Sequence, residues 1–271
     1  MTLKPFRSTA FRLNTKALGE TTVSTVIDVS VGRVAAATLG VAKAGGVRSS
    51  LGYPGVSSTA ILPGGADQGR TALVVMNPGL ERPSLEGTLS DEGTSQPVAA
   101  LADTTPAAES ARSVPVTTEG PSTIWVTAQD GETAVGRRTF GVASDQASTV
   151  GASAPATAWI VLPTVAGTPN HPGIVLTNPG DVSSSVTLSV LPATGGTAVP
   201  PEPVTVEVPP GRTVTAPGAF AEAAPRGAVL VVASEGTVVA AGASYSLGRE
   251  GYATYAVALG VPIPDAWIPG S

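Results

Sequence analysis

The chain has 271 residues with 20 acidic and 15 basic side chains, a formal net charge of −5 and no cysteine. No Lys/Arg cluster forms a phosphate-binding stripe, so nucleic acid is not an expected partner, and the lack of thiols excludes disulfides, thiolate metal sites and cysteine nucleophiles. Gly 32 and Pro 25 make roughly a fifth of the chain, against about 12% in ordinary proteins, yet the mean hydropathy is +0.25 and the remainder is rich in Val, Ala and Thr, which reads as short strands joined by Gly/Pro turns rather than as disorder.

At the amino terminus Lys4, Arg7, Arg12 and Lys16 are spread among polar positions and read as a solvated start. No uninterrupted apolar stretch follows them, so no signal peptide is expected within the chain. The longest apolar-leaning run, Val34 to Ala42, is too short to span a bilayer. Val23, Thr25, Ile27, Val29 and Val31 alternate with Ser24, Val26, Asp28 and Ser30, the period-2 pattern of a half-buried strand. Further on, Val186, Leu188 and Val190 alternate with Thr187 and Ser189, and Val204, Val206 and Val208 with Thr205 and Glu207. The continuous run Ala228 to Ala233 suits a strand buried on both faces. Only Phe220 to Ala224 reads as helical, and then as a single turn.

Several blocks recur in the same order, which is the signature of a repeat. Ala72 to Gly79 (ALVVMNPG) lines up with Gly173 to Gly180 (GIVLTNPG), 101 residues apart. Ala60-Ile61-Leu62-Pro63 matches Ile160-Val161-Leu162-Pro163, and Arg112-Ser113-Val114 matches Arg212-Thr213-Val214. A third block occurs three times, at Gly32 to Ala36, Gly131 to Val135 and Gly236 to Ala240, each followed by a short apolar segment ending in Pro, the last being Ala266-Trp267-Ile268-Pro269. In Asn-Pro-Gly the proline presets φ and the glycine is expected at φ > 0, closing a tight turn. Strands at this spacing with turn signals between them indicate a sandwich or barrel. The expected fold is all-β: tandem antiparallel β-sandwich modules of about 100 residues, covering 56–155 and 156–271, with a partial leading module at 1–55. An isolated hairpin is marginal in water. Residues 1–55 are therefore expected to dock on a neighbour or to complete a module with the carboxy-terminal strand around Trp267.

These elements resemble a family of secreted or membrane-anchored actinobacterial proteins of unknown function with NPG repeats. The likeness rests on Trp159, Pro163, Asn178-Pro179-Gly180-Asp181, Pro209-Pro210-Gly211-Arg212-Thr213 and Ser234 to Ala240. The first module departs from it: Thr59 stands at the tryptophan position, Leu80-Glu81 follows Gly79, and Pro-Pro-Gly is missing before Arg112. The block order is also similar to the small β-sandwich of the sensory rhodopsin transducer family, which implies a sandwich that tends to self-assemble. The resemblance implies an extracytoplasmic location, with any targeting segment outside this chain.

Catalytic chemistry finds little support. His171 is the single histidine, in a loop between Pro169 and Pro172, and no G-x-S-x-G elbow is present, since Gly242-Ala243-Ser244-Tyr245-Ser246 lacks the last glycine. One histidine and no cysteine argue against zinc and haem. Ser90-Asp91-Glu92-Gly93 and Asp130-Gly131-Glu132 are acidic turns without calcium-loop spacing. No phosphate loop occurs, and the scattered acids sit at turn positions rather than as a carboxylate pair. No cofactor is expected, and the chain reads as a non-enzymatic structural or interaction module at the cell surface. Its expected partners are other copies of itself, cell-envelope proteins or glycans. Trp125, Trp159 and Trp267 are expected mainly in cores. The alternative is an aromatic platform for envelope glycans, with Trp159, Trp267, Tyr252, Tyr255 and His171 as candidate contacts. Local function is expected where the copies differ: around His171, in Pro209 to Thr213, and near Asp91.

Overall fold

The computed structural model describes residues 3–4, 7–13, 24–41, 47–53, 55–64, 70–118, 120–140, 146–162, 171–191, 199–216, 228–247 and 253–268. The protein is all-β, with antiparallel pairing throughout. A hairpin of β1 (Ala37–Val41) and β2 (Val47–Leu51) precedes two sandwiches. The first is built from β3 (Thr59–Leu62), β4 (Arg70–Asn77), β5 (Ser84–Ser90), β6 (Ser95–Pro97), the helical turn α1 (Ala99–Ala102), β7 (Ser110–Thr117), β8 (Thr123–Gln129), β9 (Ala134–Phe140) and β10 (Gln146–Val150). The second comprises β11 (Ala158–Val161), β12 (His171–Thr177), β13 (Ser184–Leu191), β14 (Val204–Val208), β15 (Thr213–Thr215), β16 (Ala228–Ala233), β17 (Val239–Leu247), β18 (Ala253–Leu259) and β19 (Val261–Pro262), with a 3-10 turn at Asp265–Trp267.

The sheets of the first sandwich run β3-β8-β5-β6 and β10-β9-β4-β7. Those of the second run β14-β13-β16-β11-β19 and β15-β12-β17-β18. Shifted by eight strands, the two orders coincide, and β19 is the one addition. Each pair of sheets encloses its own core. Ala60, Leu62, Leu73, Leu85, Val114, Ile124, Val126 and Val135 fill the first; Trp159, Val161, Leu176, Val186, Leu188, Val231 and Val238 fill the second. Period-2 patterning places these residues, since alternate side chains of a strand point to one face. Along β13 the burial alternates as Val186 and Leu188 turn inward. The continuous run in β16 is explained by cover on both faces: Val229 and Val231 point into the core, and Leu230 packs with Ala158 and Ile263 on the other side.

Register corrects two sequence matches. Ile61 bridges Ala152 and Ile160 pairs with Val261, so Ile61 and Ile160 are counterparts, and Ala60 rather than Thr59 holds the place of Trp159. A one-residue slip would have turned every core side chain outward. Likewise Arg112 opposes Val75 while Val214 opposes Leu176, so Arg112 answers to Val214 and Ser110 to Arg212. The connection carrying α1, between β6 and β7, is longer than the four-residue β14–β15 turn, which displaces the match.

The Asn-Pro-Gly corners are closed differently from the expectation. Neither Gly79 nor Gly180 has positive φ. The asparagine closes each turn instead: Gly79 N donates to Asn77 Oδ1 at 3.0 Å and Gly180 N to Asn178 Oδ1 at 2.9 Å. Asn178 Nδ2 donates to the carbonyls of Val182 and Val208, and Asn77 Nδ2 to those of Glu81 and Pro106. Both asparagines are 1% exposed, so each satisfies buried carbonyls from two chain segments that would otherwise carry a desolvation cost.

One other expectation changes, and of the two alternatives for the leading segment the hairpin takes the first, docking on a neighbour. Residues 24–36 form no strand, and Val26, Ile27, Val29 and Val31 are exposed. A period-2 pattern yields a strand only where a neighbouring strand supplies hydrogen-bond partners, and among the described residues none lies beside it. The β1–β2 hairpin packs against β10 and does not pair with the carboxy-terminal segment, whose β19 pairs with β11. The helical candidate Phe220 to Ala224 lies outside the described residues.

Candidate functional site

The outer face of the β3-β8-β5-β6 sheet meets the second sandwich through Ile61, Thr123 and Trp125, and β10 of the other sheet lies beside β18. Alternation along β8 sends Ile124 and Val126 into the first core and Thr123 and Trp125 toward the second sandwich, where Trp125 packs against its core cluster. Ile61 belongs to that second cluster as well.

A file of hydroxyls crosses the junction. Thr123 Oγ1 and Thr177 Oγ1 are 2.5 Å apart, and Thr177 Oγ1 lies 3.2 Å from Thr213 Oγ1. Thr213 Oγ1 donates to Ser90 Oγ at 3.3 Å, and Ser90 Oγ donates to the Gly211 carbonyl at 2.9 Å. All four side chains are buried. A hydroxyl both donates and accepts, so a chain of them satisfies itself without water and fixes the register of the two sheets.

At the rim the acidic turn Ser90–Thr94 covers the free edge of β15. Thr213 N donates to the Asp91 carbonyl at 3.2 Å and Thr215 N to Glu92 Oε1 at 3.4 Å. The turn is held by Asp91 Oδ1, which accepts from Gly93 N and Thr94 N, and by Thr94 Oγ1 donating to Asp91 Oδ2. Partial burial alone would raise the Asp91 carboxyl, but hydrogen bonds from Thr94 and Gly93 and the Arg212 charge hold it below the usual carboxylate range. Opposite, Gly211 has φ +64 and lies near the Trp125 ring, where an added Cβ would stand 3.9 Å from Cη2. The acidic turn and Pro209 to Thr213, singled out in sequence as the places where the copies differ, thus meet each other. Trp125 Nε1, Arg212 Nη1 and Thr215 Oγ1 are buried here without a hydrogen-bond partner.

A second polar feature sits inside the first sandwich. Arg137 is 2% exposed; Nη1 donates to the Leu62 and Ser122 carbonyls at 3.1 and 2.7 Å, and Nη2 to Ser122 Oγ at 3.1 Å. Burial lowers its pKa to about 9. Its role is to close carbonyls at the end of the core.

The sequence candidates for ligand contact fall in different places. Trp159 is 1% exposed and its indole donates to the Val238 carbonyl at 2.7 Å, so it offers no ring face to solvent. Trp267 is 73% exposed, against its expected place in a core. Tyr252 lies outside the described residues. Backbone register sets His171 opposite Tyr245 and Tyr245 opposite Tyr255, in one row across β12, β17 and β18. Tyr245 carries no ligand signal in the sequence, where it stands within a repeated block and an incomplete serine motif. The junction threonines were missed because hydroxyl residues are common throughout the chain. Among the described residues no group of three or more His, Asp or Glu is placed to hold a metal ion, and no helix is long and apolar enough to cross a membrane.

No protein-family model matches the chain, and no curated protein matches it.

Proposed function

We propose that the protein is a non-enzymatic, extracytoplasmic interaction module: two copies of one sandwich locked into a rigid unit that associates with further copies of itself. The observation that carries this reading is the dry hydroxyl file from Thr123 to Ser90, with the Asp91 turn over the β15 edge. It takes the segments in which the copies differ and spends them on joining the sandwiches, leaving repetition itself as the molecule's main property. Stacked units contacting only their neighbours are the general design of repeat proteins that work as scaffolds. The resemblance to secreted NPG-repeat proteins supports the extracytoplasmic setting. Sedimentation velocity over a wide concentration range tests the association: reversible oligomers are expected, and a monomer at every concentration would refute self-association.

A second reading, binding of cell-envelope glycans, is favoured by the His171–Tyr245–Tyr255 row, since aromatic rows suit sugar rings. A glycan array should then give signals that Tyr255→Ala removes. An array with no signal disposes of this reading.

A further inference from the structure

One face of the first sandwich lacks the cover that its counterpart in the second sandwich has. Val175, Thr177, Thr213 and Ala241 point away from their own core, yet each is at most 1% exposed. The first sandwich meets this face: Thr123 Oγ1 reaches Thr177 Oγ1, and Ser90 Oγ accepts from Thr213 Oγ1. Register identifies the matching positions. Val74 pairs with Gly136 as Val175 does with Ala241, and Ala111 pairs with Met76 as Thr213 does with Thr177. Val74, Met76, Ala111 and Gly136 are all partly exposed, so here the same face is open.

The covering surface also occurs twice. Thr123 pairs with Ser90 next to the Ile124–Leu62 pair, and Ala228 pairs with Leu191 next to the Val229–Val161 pair. Ala228 therefore stands for Thr123, Leu191 for Ser90 and Leu230 for Trp125. Ile263 of the carboxy-terminal segment packs on Ala158 and Leu230 and leaves Leu191 37% exposed. The two open surfaces agree in polarity. Where Thr123 meets Thr177, the open counterparts are Ala228 and Met76; where Ser90 meets Thr213, they are Leu191 and Ala111. Both members of each hydroxyl pair have become apolar together, so bringing these surfaces into contact would bury no unpaired hydroxyl.

The β1–β2 hairpin marks where a cover would sit. Gly52 N donates to the Ala36 carbonyl at 2.8 Å and Gly260 N to the Ala240 carbonyl at 2.9 Å, which makes the hairpin the counterpart of β17–β18. Gly32 and Gly236, equally spaced before Ala36 and Ala240, both have positive φ, +87 and +69. β2 lies beside β10 as β10 lies beside β18, and β2 makes no comparable contact with β18. The hairpin thus stands to the first sandwich as β9–β10 stands to the second, at a place of its own. A sandwich set on the first as the first is set on the second would bring its closing hairpin to that place. The present occupant is held on fewer sides: Leu51 is 71% exposed, whereas its counterpart Leu259 packs on the second core cluster.

We propose that the open face at Val74, Met76 and Ala111 binds a second copy of the chain, through the outer surface of that copy's β14-β13-β16-β11-β19 sheet. The contact repeats between molecules the junction that joins the two sandwiches within one. Ala228 of the incoming copy lies on Met76 and Leu191 on Ala111, while its β17–β18 takes the place of β1–β2, which leaves β10. The two partners use different patches, so the contact is heterologous and extends from copy to copy or closes into a ring according to its rotation. The hairpin is then a cap that each added copy displaces, as terminal units cap the ends of repeat arrays. The inference rests on the self-association reading and names its surfaces.

The chain has no cysteine, so introduced cysteines report the contact cleanly. Thr123 Oγ1 and Thr177 Oγ1 are 2.5 Å apart, which brings their Cβ atoms within reach of a disulfide; Ala228 and Met76 should inherit that spacing between copies. Chains carrying Ala228→Cys, mixed with chains carrying Met76→Cys and oxidised, should yield linked heterodimer about tenfold above an Ala228→Cys/Ser183→Cys control, the ratio of a tenfold affinity difference. A yield no higher than the control, or a disulfide within one chain carrying both Ala228→Cys and Met76→Cys, would overturn the proposal. In the linked dimer, backbone amides of residues 37–41 and 47–51 should exchange in two populations. One should be at least about tenfold faster than in the monomer, because a released hairpin is marginal in water; uniform monomer-like protection would refute displacement of the cap. In sedimentation, Leu191→Lys should weaken association about tenfold or more, with an unchanged melting temperature because the residue is exposed. Association at full strength in Leu191→Lys refutes the proposed contact and leaves self-association standing; a monomeric wild type refutes both.

Discussion

Trp159 and Ala60 occupy the same register position in their sandwiches, opposite Val231 and Val126. So do Leu188 and Gly87, opposite the same two valines. The second sandwich fills its core from its own strands. In the first, Gly87 leaves a space that Leu101 of α1 enters, an added Cβ at Gly87 meeting Leu101 Cδ1. Arg137 of β9, opposite Leu73, stands where the second sandwich has Gly242 opposite Ile174. Strand order is the same throughout, while volume and charge have moved between elements. The shared parts are the hydrogen-bonding devices: the two buried asparagines and the antiparallel ladders. Core composition is exchangeable because only the total volume has to fill the space; a buried carbonyl has no such latitude.

The sharpest contrast is between the tryptophans that share the sequence Ala-Trp-Ile. Trp159→Ala should cost about 3–5 kcal/mol, the range for deleting a fully buried aromatic side chain. Trp267→Ala should change monomer stability by less than about 0.5 kcal/mol, as surface substitutions do. Urea denaturation at a concentration where the chain is monomeric measures both. Comparable losses would mean that Trp267 is packed in the monomer and that the contrast is wrong.

At the junction, Thr177→Val keeps the shape and removes the middle hydroxyl. Thr123 then loses its partner, and the expected cost is about 1–3 kcal/mol for a buried polar group left unpaired. The more telling outcome is cooperativity. If the hydroxyl file couples the sandwiches, the variant should unfold in two resolved steps, with probes near Trp125 and Trp159 separating. A single transition that merely shifts would show that apolar contacts around Ile61 and Trp125 hold the junction without it.

Arg137 offers a test within the first sandwich alone. Its folded pKa is lowered by burial to about 9, well below the ordinary guanidinium value. Below about 9 the folded state carries the full cost of the buried charge. Above it the unfolded chain binds more protons than the folded one, so stability should rise with pH, by up to about 1.4 kcal/mol per pH unit for one group. Arg137→Met lacks this contribution. Subtracting its unfolding free energy from that of the wild type cancels groups common to both, and the difference should climb as the pH rises above about 9 toward the ordinary guanidinium value. A flat difference would mean that the guanidinium stays charged.

The β class of the fold could be read from the sequence because alternation and turn residues report local preferences directly. Val186, Leu188 and Val190 were assigned by period alone. The segment from Val23 to Val31 shows where that logic ends: its pattern is as good, but pairing depends on strands that the pattern cannot supply. Register was legible at the asparagine corners, where 101 residues separate counterparts; it shifts by two residues at Arg112, where the connection through α1 changes length, and by one at Ile61, where the β3–β4 connection is shorter than β11–β12. The junction was half legible. Differences between the copies pointed to the Asp91 turn and to Pro209–Thr213, but not to their meeting, because facing sheets leave no short-range trace in sequence. Trp159 and Trp267 were indistinguishable by sequence, since what separates them is the presence of a sandwich around one and not the other.

The Pro-Pro-Gly turn is missing from the first sandwich as a motif and present as a conformation. Glu109 stands in the place of Gly211, one residue before Ser110 and Arg212, and both have positive φ, 50° and 64°. A left-handed backbone costs a side-chain-bearing residue roughly 1–2 kcal/mol, whereas glycine adopts it without a Cβ clash. Glu109→Gly should therefore stabilise the first sandwich, by about 0.5–1 kcal/mol once the extra chain entropy of glycine in the unfolded state is set against the relief. Gly211→Ala should do the reverse in the second, destabilising it by about 1 kcal/mol. The change at Glu109 is the smaller effect and the more informative one. A gain there would show that the two turns share a backbone requirement independent of Pro-Pro-Gly. A loss would show that the glutamate side chain repays its strain through contacts of its own, making the turns different structures that happen to share a dihedral angle.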